Sequence, residues 1–362
     1  AKGNCERIAS DMGIFGHSEN GGAKQTEEAP FPDHRSAIAR VLEEFEKTDF
    51  TIDGIGHRIV QGGWHFDDSA VVDDEVMAKI LEVAPLAPLH NYGEAAAIEY
   101  CREKYPELPN VAVFDTSFHM TMPEVAYTYA LPKDVCDKYH VRKYGAHGTS
   151  HRYEWMMAKE ILGSRCHRLL SCHLGNGASL AAIEDGVCRD TTMGLTPLDG
   201  LMMGTRSGDV DGGAVTFIMD KEGLAPSEMS NLLNKKSGVA GVTGVSSDMR
   251  EVIAAAHEGN PRCRLALDMY AYRVKKYIGA YAAAMNGVDI ILFTGGVGEN
   301  QADMREAFCN GLDYLGVSLD KAKNNTVRGD EAIISTPDSK VTVCVIPTDE
   351  ELMIAKDTMA LV

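Results

Sequence analysis

The sequence predicts an α/β fold from three observations. Four short apolar runs each end at a glycine-rich or polar turn, as buried strands do: 111–114, 169–172, 290–293 and 341–346. Apolar residues at helical spacing fill a long stretch between two of these runs, residues 264–285. The polar residues collect at the strand ends, where open α/β sheets bind their ligands.

The composition excludes several classes of protein. The 362 residues are enough for two domains, and a hydrophobic fraction of 44% provides a sizeable core. A net charge of −18 repels nucleic acid, and no apolar run approaches the length of a membrane span. Nine cysteines without a CxxC pair favour a reducing compartment, so we expect a cytoplasmic protein with no nucleic-acid or membrane partner.

Two arginines lie beside close-spaced glycines. Arg58 follows a short apolar strand and precedes a glycine pair, and Arg206 lies in the stretch DGLMMGTRSGDVDGG (199–213). A guanidinium is a five-donor fork that suits phosphate oxygens, and glycines let backbone N–H groups approach an anion. The alternative is a surface arginine, which at Arg206 would pair with Asp209 and Asp211.

Two glycine-rich turns follow predicted strands. In HLGNGAS (173–179), Asn176 and the Gly177 amide could hold a phosphate, although Asn-Gly is also the strongest short signal of a plain hairpin. The segment TGGVGEN (294–300) opens a predicted helix, where a nucleotide could bind. Neither turn is a dinucleotide fingerprint or a Walker A sequence.

Three further residues carry titratable groups at predicted strand or helix ends. Asp115 ends a buried strand and could position a nucleophile or a metal, or cap the next turn. His147, in YGAHGTSH (144–151), could donate to a transferring phosphoryl group. Glu350, in PTDEE (347–351), could hold Mg²⁺ through water, or simply favour the first turn of a helix.

Together these segments resemble the acetate kinase family, the acetate and propionate kinases of the actin/sugar-kinase/Hsp70 superfamily. The resemblance runs nearly end to end, and the order of its segments leaves little room for another family. The segments are GHRIVQGG (56–63), APLHN (87–91), VFDTSFHMTMP (113–123), RKYGAHGTSHR (142–152), HLGNGAS (173–179), DTTMGLTPLDGLMMGTRSGDVD (190–211), SSDMR (246–250), FTGGVGEN (293–300) and IPTDEELMIA (346–355).

The resemblance implies a two-domain actin-like ATPase fold, which is ribonuclease H-like, with a cleft between the domains. We expect an N-terminal domain I of residues 1–117 plus 353–362, to which the C-terminal helix returns. Domain II, residues 118–352, is expected to bind the nucleotide, and the cleft is expected to close around ATP. The family forms homodimers, so we expect a homodimer.

The reaction that the resemblance implies is direct phosphoryl transfer from ATP to acetate, which gives acetyl phosphate and ADP. A carboxylate acceptor is already ionised at pH 7, so positioning and cationic groups matter more than a base. By the family's pattern, Arg58 and Arg206 hold the acid and the phosphoryl group. His147 stabilises the equatorial oxygens, and Asp115 orders the metal or the acceptor.

The family's pattern also assigns the binding residues. Glu350 supports a Mg²⁺ or Mn²⁺ cofactor, and ATP or ADP is the co-substrate. The acyl group of the short-chain carboxylate is placed against Val60, Leu89, Ala146 and Gly212. The nucleotide-binding set comprises His173, Asn176, Gly177, Asp248, Met249, Arg250, Gly296 and Asn300.

One departure from the family's pattern lies at the N-terminus. The chain opens at AKGNCERI (1–8), whereas family members begin with a strand and a loop of the form N-x-G-S-S-S-[LI]-K that carries phosphate and metal contacts. That strand belongs inside a sheet, where its loss would expose unpaired backbone groups. We therefore expect the complete polypeptide to carry residues before Ala1.

A second departure lies in the acyl pocket. Ala146 replaces the family's usual Phe, and Gly212 replaces the Pro that is usual in acetate kinases. Two large-to-small changes predict a larger apolar pocket, in which each additional buried methylene contributes about 0.8 kcal/mol. Propionate, butyrate or a similar acid then rivals acetate, unless a neighbour such as Tyr92 refills the space.

Two other functions of the same superfamily differ in their chemistry. An ATP-binding chaperone or filament protein needs no acid-facing arginine, whereas Arg58 and Arg206 are both present. A sugar kinase would use Asp115 as a base toward a hydroxyl group, and the HRIVQGG and YGAHGTSH segments argue against it.

Overall fold

The computed structural model describes residues 1–8, 10–19, 22–48 and 51–362. The strands are β1 (Lys2–Glu6), β2 (Ser10–Ser18), β3 (Gln25–Phe31), β4 (Ile55–Ile59), β5 (Ala70–Val71), β6 (Asn110–Phe114), β7 (Arg168–Leu174), β8 (Ala178–Glu184), β9 (Val187–Thr191), β10 (Ile290–Thr294), β11 (Ala332–Ile333) and β12 (Thr342–Val345). The α-helices are α1 (His34–Phe45), α2 (Asp74–Val83), α3 (Asn91–Lys104), α4 (Glu124–Tyr127), α5 (Lys133–Tyr139), α6 (Gly148–Leu162), α7 (Gly212–Glu222), α8 (Pro226–Lys235), α9 (Gly238–Thr243), α10 (Met249–His257), α11 (Pro261–Ala284), α12 (Gly295–Asn300), α13 (Ala302–Cys309), α14 (Lys321–Asn324) and α15 (Glu350–Leu361).

The chain forms two compact units. Unit 1 contains residues 1–65, 69–113 and 354–362, and unit 2 contains residues 66–68 and 114–353. Unit 1 holds two three-stranded sheets, with the strand orders β1-β2-β3 and β4-β6-β5. Unit 2 holds a six-stranded sheet with the order β11-β12-β10-β7-β8-β9.

The six-stranded sheet is parallel at its centre and antiparallel toward its edges. Strand β10 pairs in parallel with β7 and β12, whereas β8, β9 and β11 are antiparallel to their neighbours. The register places His173 of β7 opposite Thr294 of β10. The segments that follow these parallel strands therefore leave the sheet at the same edge.

Alternate residues of a strand face opposite sides of this sheet. Leu170 of β7 packs in a core cluster with residues of α11, and Leu169 packs in another with residues of α6. By the same alternation, Ser171 and His173 lie on the side of α6. Helices thus cover both faces of the sheet, which explains why its central strands are buried on both sides.

The predicted strands and the long helix are confirmed, with shifted ends. The four apolar runs are β6, β7, β10 and β12. The helix expected at 264–285 is α11, which begins earlier, at Pro261. Its start is set by Asn260, whose Oδ1 accepts hydrogen bonds from the N–H groups of Arg262 and Cys263.

One local prediction is wrong. The sequence suggests that Arg58 follows a strand, but β4 (Ile55–Ile59) includes it. The neighbouring His57 is accommodated inside the sheet because its Nε2 lies 2.7 Å from Oδ1 of Asn110 on β6. Burial lowers the pKa of His57, which favours a neutral ring there.

All nine cysteines are free thiols. Among the helices of the described residues, none combines the length and the apolar character that crossing a membrane requires.

Candidate functional site

Asp115 follows β6 and is fully buried. Its Oδ1 accepts a hydrogen bond of 3.1 Å from the Thr149 hydroxyl, and its carbonyl oxygen accepts one of 2.9 Å from the N–H of Gly148. A Cβ at position 148 would lie 2.1 Å from that carbonyl oxygen, so only glycine allows α6 to start this close to the strand. Both contacts fix Asp115 at the start of α6.

His147 and His173 lie face to face. His147 immediately precedes α6 with a left-handed backbone, at a φ of 57°. Its ring stacks on that of His173, with centroids 4.3 Å apart and planes 24° apart. Nδ1 of His147 lies 2.9 Å from the Ser179 hydroxyl, and Nδ1 of His173 lies 2.7 Å from the Ser150 hydroxyl. Each Nδ1 is thus bound to a serine.

The turn between β7 and β8 is a hairpin loop. The strands are antiparallel and their register pairs Leu174 with Ala178, which leaves Gly175, Asn176 and Gly177 in the turn. The N–H of Gly175 donates to the carbonyl oxygen of Gly177 at 3.0 Å. The hairpin interpretation of HLGNGAS is therefore confirmed.

Three predicted site residues meet at this glycine turn. A Cβ built on Gly177 would lie 3.4 Å from Nε2 of His147 and 3.7 Å from Nη1 of Arg206. A Cβ built on Gly175 would lie 3.8 Å from Nε2 of His173. The absence of side chains on the two glycines therefore leaves two imidazoles and a guanidinium beside bare backbone.

The Arg206 guanidinium has uncharged partners in the described part of the chain. Its Nη1 donates to the carbonyl oxygen of Pro197 at 3.1 Å and lies 3.7 Å from the sulfur of Met203. Burial lowers the pKa of Arg206, because a charged group loses hydration there. A partly buried cation that has no carboxylate partner among the described residues suits an anionic ligand.

The alternative that Arg206 pairs with its own aspartates is wrong. Oδ1 of Asp209 accepts from the N–H of Gly200 at 2.8 Å, and its Oδ2 accepts from the Tyr277 hydroxyl at 2.6 Å. Asp211 caps α7 by accepting from the N–H of that helix's second residue at 3.0 Å. The two carboxylates are thus used to shape the loop that carries Arg206.

A cavity of about 720 Å³ in unit 2 is lined by Gly175 and Asn176 of the same turn. Six of the eight residues predicted to bind the nucleotide line it: Asn176, Asp248, Met249, Arg250, Gly296 and Asn300. The other two, His173 and Gly177, do not line the cavity and belong to the group around the stacked histidines, which we call the histidine side of the turn. Sequence reasoning missed several further lining residues, namely Gly204, Val239, Ser247, Tyr270 and Gln301.

The polar groups at the rim of this cavity are held by residues close to them in sequence. Asp248 caps α10 by accepting from the N–H of Arg250 at 2.9 Å, and Nη2 of Arg250 donates back to Asp248 at 2.6 Å. The Arg250 side chain is 79% exposed. Nδ2 of Asn300 donates to the carbonyl oxygen of Gly296 at 3.1 Å, one turn earlier in α12.

Glu350 is the first residue of α15 and is partly exposed. The segment before it is tied to the β10–α12 turn through Glu299. Oε1 of Glu299 accepts from the N–H of Gly295 at 2.9 Å and from the N–H of Thr348 at 3.4 Å. The acidic end of the last strand therefore lies beside the turn TGGVGEN.

Three of the predicted acid-side residues belong to unit 1. Arg58 is on β4, and Val60 is buried just beyond that strand. The N–H of Val60 donates to Oε2 of Glu94 on α3 at 3.0 Å, which holds the segment after the strand. Leu89, in a turn before α3, is 59% exposed.

The other two predicted acyl-group residues belong to unit 2. Ala146 is buried, and its carbonyl oxygen lies 2.9 Å from Nε2 of His119. Burial lowers the pKa of His119 to about 4, so this ring is neutral at pH 7. Gly212 is exposed, and a Cβ there would meet no atom within 4 Å. An enlarged acyl pocket remains a prediction.

Sequence reasoning also missed a buried polar layer between α6 and the six-stranded sheet. Its members are fully buried: Ser150, His151 and Glu154 on α6, Ser171 on β7 and Ser179 on β8. Burial raises the pKa of Glu154 to about 8 and lowers that of His151 well below its usual value. A signal was available, because these helix positions share one face and these strand positions share the facing side.

Comparison with known proteins identifies relatives along the whole chain. The family model described as the acetokinase family matches residues 1–356. The acetate kinase of Phocaeicola vulgatus is 53% identical over 370 residues, which cover 100% of this chain and 93% of the relative. The acetate kinase of Thermotoga maritima is also 53% identical, over 99% of this chain and 92% of the relative.

Solved structures show the same similarity in three dimensions. An acetate kinase from Porphyromonas gingivalis matches with a TM-score of 0.92 at 49% identity, and a propionate kinase from Francisella tularensis matches with a TM-score of 0.93 at 40% identity. Each match covers 99% of this chain and 92% of the solved chain.

Proposed function

Because the chain belongs to the acetokinase family, we propose that it transfers the γ-phosphoryl group of ATP reversibly to acetate, which forms acetyl phosphate and ADP. A carboxylate oxygen attacks the γ-phosphorus in line with the bond to the bridging oxygen. That bond breaks, and ADP keeps the electron pair. Acetate is ionised at neutral pH, so no proton has to leave the acceptor.

The observation that carries this proposal is the meeting of Arg206 and His147 at Gly177. A phosphoryl group in transfer spreads negative charge over three oxygens, and fixed donors beside it stabilise that charge. Arg206 has uncharged protein partners, so its charge is available for these oxygens. His147 supplies a second donor. Arg58 is proposed, by the family's pattern alone, to hold the carboxylate of the acid.

The cavity beside the glycine turn is proposed to hold the adenosine of ATP. Asp248, Met249 and Arg250 would lie on one side of the base and ribose, and Gly296 and Asn300 on the other. His173, Asn176 and Gly177 would contact the phosphates, which places the γ-phosphoryl group toward His147. The volume of about 720 Å³ falls in the range of small-molecule sites.

The donor set near Glu350 fits a magnesium or manganese ion. Magnesium takes oxygen ligands, uses one or two carboxylates and retains several waters. Glu350 offers one carboxylate, and the described residues form no group of three or more metal-binding side chains around it. Glu350 would hold the ion, and Asp115 would order its surroundings. When bound, such an ion neutralises charge on the nucleotide phosphates.

A larger acid is the second candidate substrate, because of Ala146 and Gly212. Open space surrounds the position at which a Cβ of residue 212 would lie. Each additional methylene that such a pocket buries contributes about 0.8 kcal/mol. Propionate or butyrate would then be phosphorylated by the same chemistry. We further propose a cytoplasmic homodimer, a location consistent with nine free thiols.

Trapping of the acyl phosphate with hydroxylamine tests the proposed reaction. The full chain is incubated with Mg-ATP and, in parallel, acetate, propionate, butyrate, a branched acid and glucose. We expect ATP-dependent hydroxamate formation with the highest kcat/KM for acetate. A higher kcat/KM for a longer acid would favour the second candidate. ATP-dependent phosphorylation of glucose without any hydroxamate would contradict both.

A further inference from the structure

Two chains of hydrogen bonds lead away from the buried carboxyl group of Glu154. In the longer chain, Oε2 lies 3.0 Å from the Ser171 hydroxyl, which lies 2.7 Å from Nδ1 of His151. Nε2 of His151 lies 2.8 Å from the Ser179 hydroxyl. That hydroxyl lies 2.9 Å from Nδ1 of His147, where the chain ends.

The shorter chain starts at the other carboxyl oxygen. Oε1 of Glu154 lies 2.7 Å from the Ser150 hydroxyl. The same hydroxyl lies 2.7 Å from Nδ1 of His173 and 2.8 Å from the hydroxyl of Thr348. The two chains therefore connect one carboxyl group to Nδ1 of both stacked imidazoles.

The number of hydrogens available couples the directions of the bonds within each chain. A serine hydroxyl has one hydrogen, so it donates once and accepts otherwise. His151 is neutral because burial lowers its pKa, so one of its nitrogens donates and the other accepts. The direction chosen at the carboxyl group is consequently transmitted to the far end of each chain.

With the proton on Oε2 of Glu154, the directions of the bonds in the longer chain follow; a proton on Oε1 would exchange the tautomers of the two rings. The proton on Oε2 is donated to Ser171, whose own hydrogen then points to Nδ1 of His151. His151 carries its proton on Nε2 and donates it to Ser179, whose hydrogen points to Nδ1 of His147. Nδ1 of His147 therefore accepts, and the neutral ring carries its proton on Nε2, the nitrogen beside Gly177.

With the proton on Oε2, the hydrogen bonds of the shorter chain point toward the carboxyl group, whereas those of the longer chain point away from it. Oε1 has no proton, so it accepts from Ser150, and Ser150 accepts from Nδ1–H of His173 and from the hydroxyl of Thr348. His173 is then protonated on Nδ1. An ionised Glu154 would instead accept from both serines, and both imidazoles would be protonated on Nδ1. One proton on the carboxyl group thus makes the stacked rings opposite tautomers.

We propose that Glu154 is a positioning residue that makes His147 a neutral Nε2–H donor at the glycine turn through Ser171, His151 and Ser179. The use of that donor at the phosphoryl group rests on the proposed function. The tautomers themselves follow from the hydrogen bonds together with a proton on Oε2 of Glu154.

Two features of the surroundings support this state. Burial raises the pKa of Glu154 to about 8, and the charge of Glu350 acts in the same direction, whereas hydrogen bonding with Ser150, Ser171 and Thr348 acts to lower it. The carboxyl group is therefore protonated at pH 7. A neutral His147 donor also places no second positive charge against the Arg206 guanidinium near Gly177.

Two serine variants test the two chains of hydrogen bonds independently. Ser171→Ala interrupts the longer chain, and Ser150→Ala interrupts the shorter one. In protein labelled with ¹⁵N-histidine, two-bond ¹H–¹⁵N spectra distinguish protonated from unprotonated ring nitrogens. We expect the wild-type protein to show Nε2–H on His147 and Nδ1–H on His173. Ser171→Ala should change the His147 signature alone, and Ser150→Ala the His173 signature alone.

Substitution of Glu154 itself tests the role of the carboxyl group. Glu154→Gln keeps one donor and one acceptor, so it should retain both tautomers and most of kcat. Glu154→Met keeps neither, and we expect it to lose the His147 tautomer and to lower kcat at least tenfold, with KM for ATP within about twofold. The serine variants provide the same test if the methionine variant does not fold.

Three results would overturn the proposal: Nδ1–H on both rings of the wild-type protein, Nδ1–H on His147 with Nε2–H on His173, or serine variants that change both rings together or neither. Failure of the proposed function looks different. In that case the tautomers would follow the two chains, while no short-chain acid would be phosphorylated.

Discussion

The two sides of the glycine turn hold their polar groups in different ways. On the histidine side, His147 and His173 are bound through serines to a fully buried carboxyl group in the core. On the cavity side, Asp248 and Arg250 are bound to each other, and Arg250 is mostly exposed. The groups proposed for phosphoryl transfer are thus fixed by the core, whereas those proposed for adenosine are fixed by local caps.

This difference determines how freely the polar side chains on each side can rearrange. Buried polar groups lose free energy unless every hydrogen bond is made, so the histidine side has few alternative arrangements. Exposed ion pairs contribute only about 0–1 kcal/mol, and their side chains can adjust to a ligand. We therefore expect substitutions on the histidine side to affect rate and those on the cavity side to affect affinity modestly.

Replacement of Arg206 should give the largest effect. Arg206→Ala removes the guanidinium beside His147, and we expect kcat for acetate to fall about 10³-fold, as when a fixed transition-state donor is removed. Steady-state kinetics at saturating ATP measure this loss. Arg206→Lys keeps the charge without the planar fork and should recover only part of it. A loss below tenfold would remove Arg206 from the transfer step.

The second prediction concerns the pH dependence of stability. The folded protein holds the Glu154 proton up to a pKa of about 8, whereas the unfolded chain releases it near 4.5. Between these values the folded state binds more protons, so this group's contribution to stability falls as pH rises, by at most about 1.4 kcal/mol per pH unit. Glu154→Gln should gain stability relative to the wild type from pH 5 to 8 in urea unfolding.

The contribution of His119 to stability changes with pH in the opposite direction to that of Glu154. Its folded pKa is about 4 and its ordinary value is 6.5, so its contribution is lost as pH falls through that window. The pH dependence of stability that His119 contributes should be the same in the wild type and in Glu154→Gln. A constant difference between Glu154→Gln and the wild type from pH 5 to 8 would mean that Glu154 is ionised in the folded protein.

Acid selectivity is the third prediction. Gly212→Pro adds a ring at the first position of α7, where Pro is favoured, and the preceding Asp211 has an extended ψ of 124°. We expect the butyrate-to-acetate ratio of kcat/KM to fall about tenfold, or about 1.4 kcal/mol, with little change in stability. An unchanged ratio in a stable variant would place Gly212 away from the acyl group.

The smallest effect is expected at the cavity rim. Arg250→Ala removes an exposed ion pair with Asp248, so KM for ATP should rise no more than about fivefold, with kcat unchanged. It is the matched control for Arg206→Ala, because each removes one guanidinium. A large fall in kcat in the rim variant would break the contrast between the two sides.

Much of the fold was predictable because its local signals agree with its packing. Strands β6, β7, β10 and β12 are apolar runs between turns, and α11 has both periodicity and a capping Asn260. Arg58 was misplaced because a histidine and an arginine interrupt the apolar pattern of β4. The side chain of Asn110 on β6 satisfies His57, and that contact is not visible in the sequence.

The candidate site was predictable in its residues but not in its connections. Glycine turns and family motifs indicated Arg206, His147 and the residues that line the cavity. Glu154 was missed because an acidic residue within a helix resembles an ordinary exposed one until its neighbours are known. Its pKa depends on burial against β7 and β8, and that packing is not visible in the linear sequence.

The most direct test of the central claim follows an oxygen atom from acid to phosphorus. Acetate labelled with ¹⁸O in both carboxylate oxygens is incubated with the full chain and Mg-ATP, and the acetyl phosphate is examined by ³¹P NMR. Direct attack by the carboxylate predicts one ¹⁸O bonded to phosphorus in the product. Acetyl phosphate without that label, or no acetate-dependent product at all, would contradict the proposed reaction.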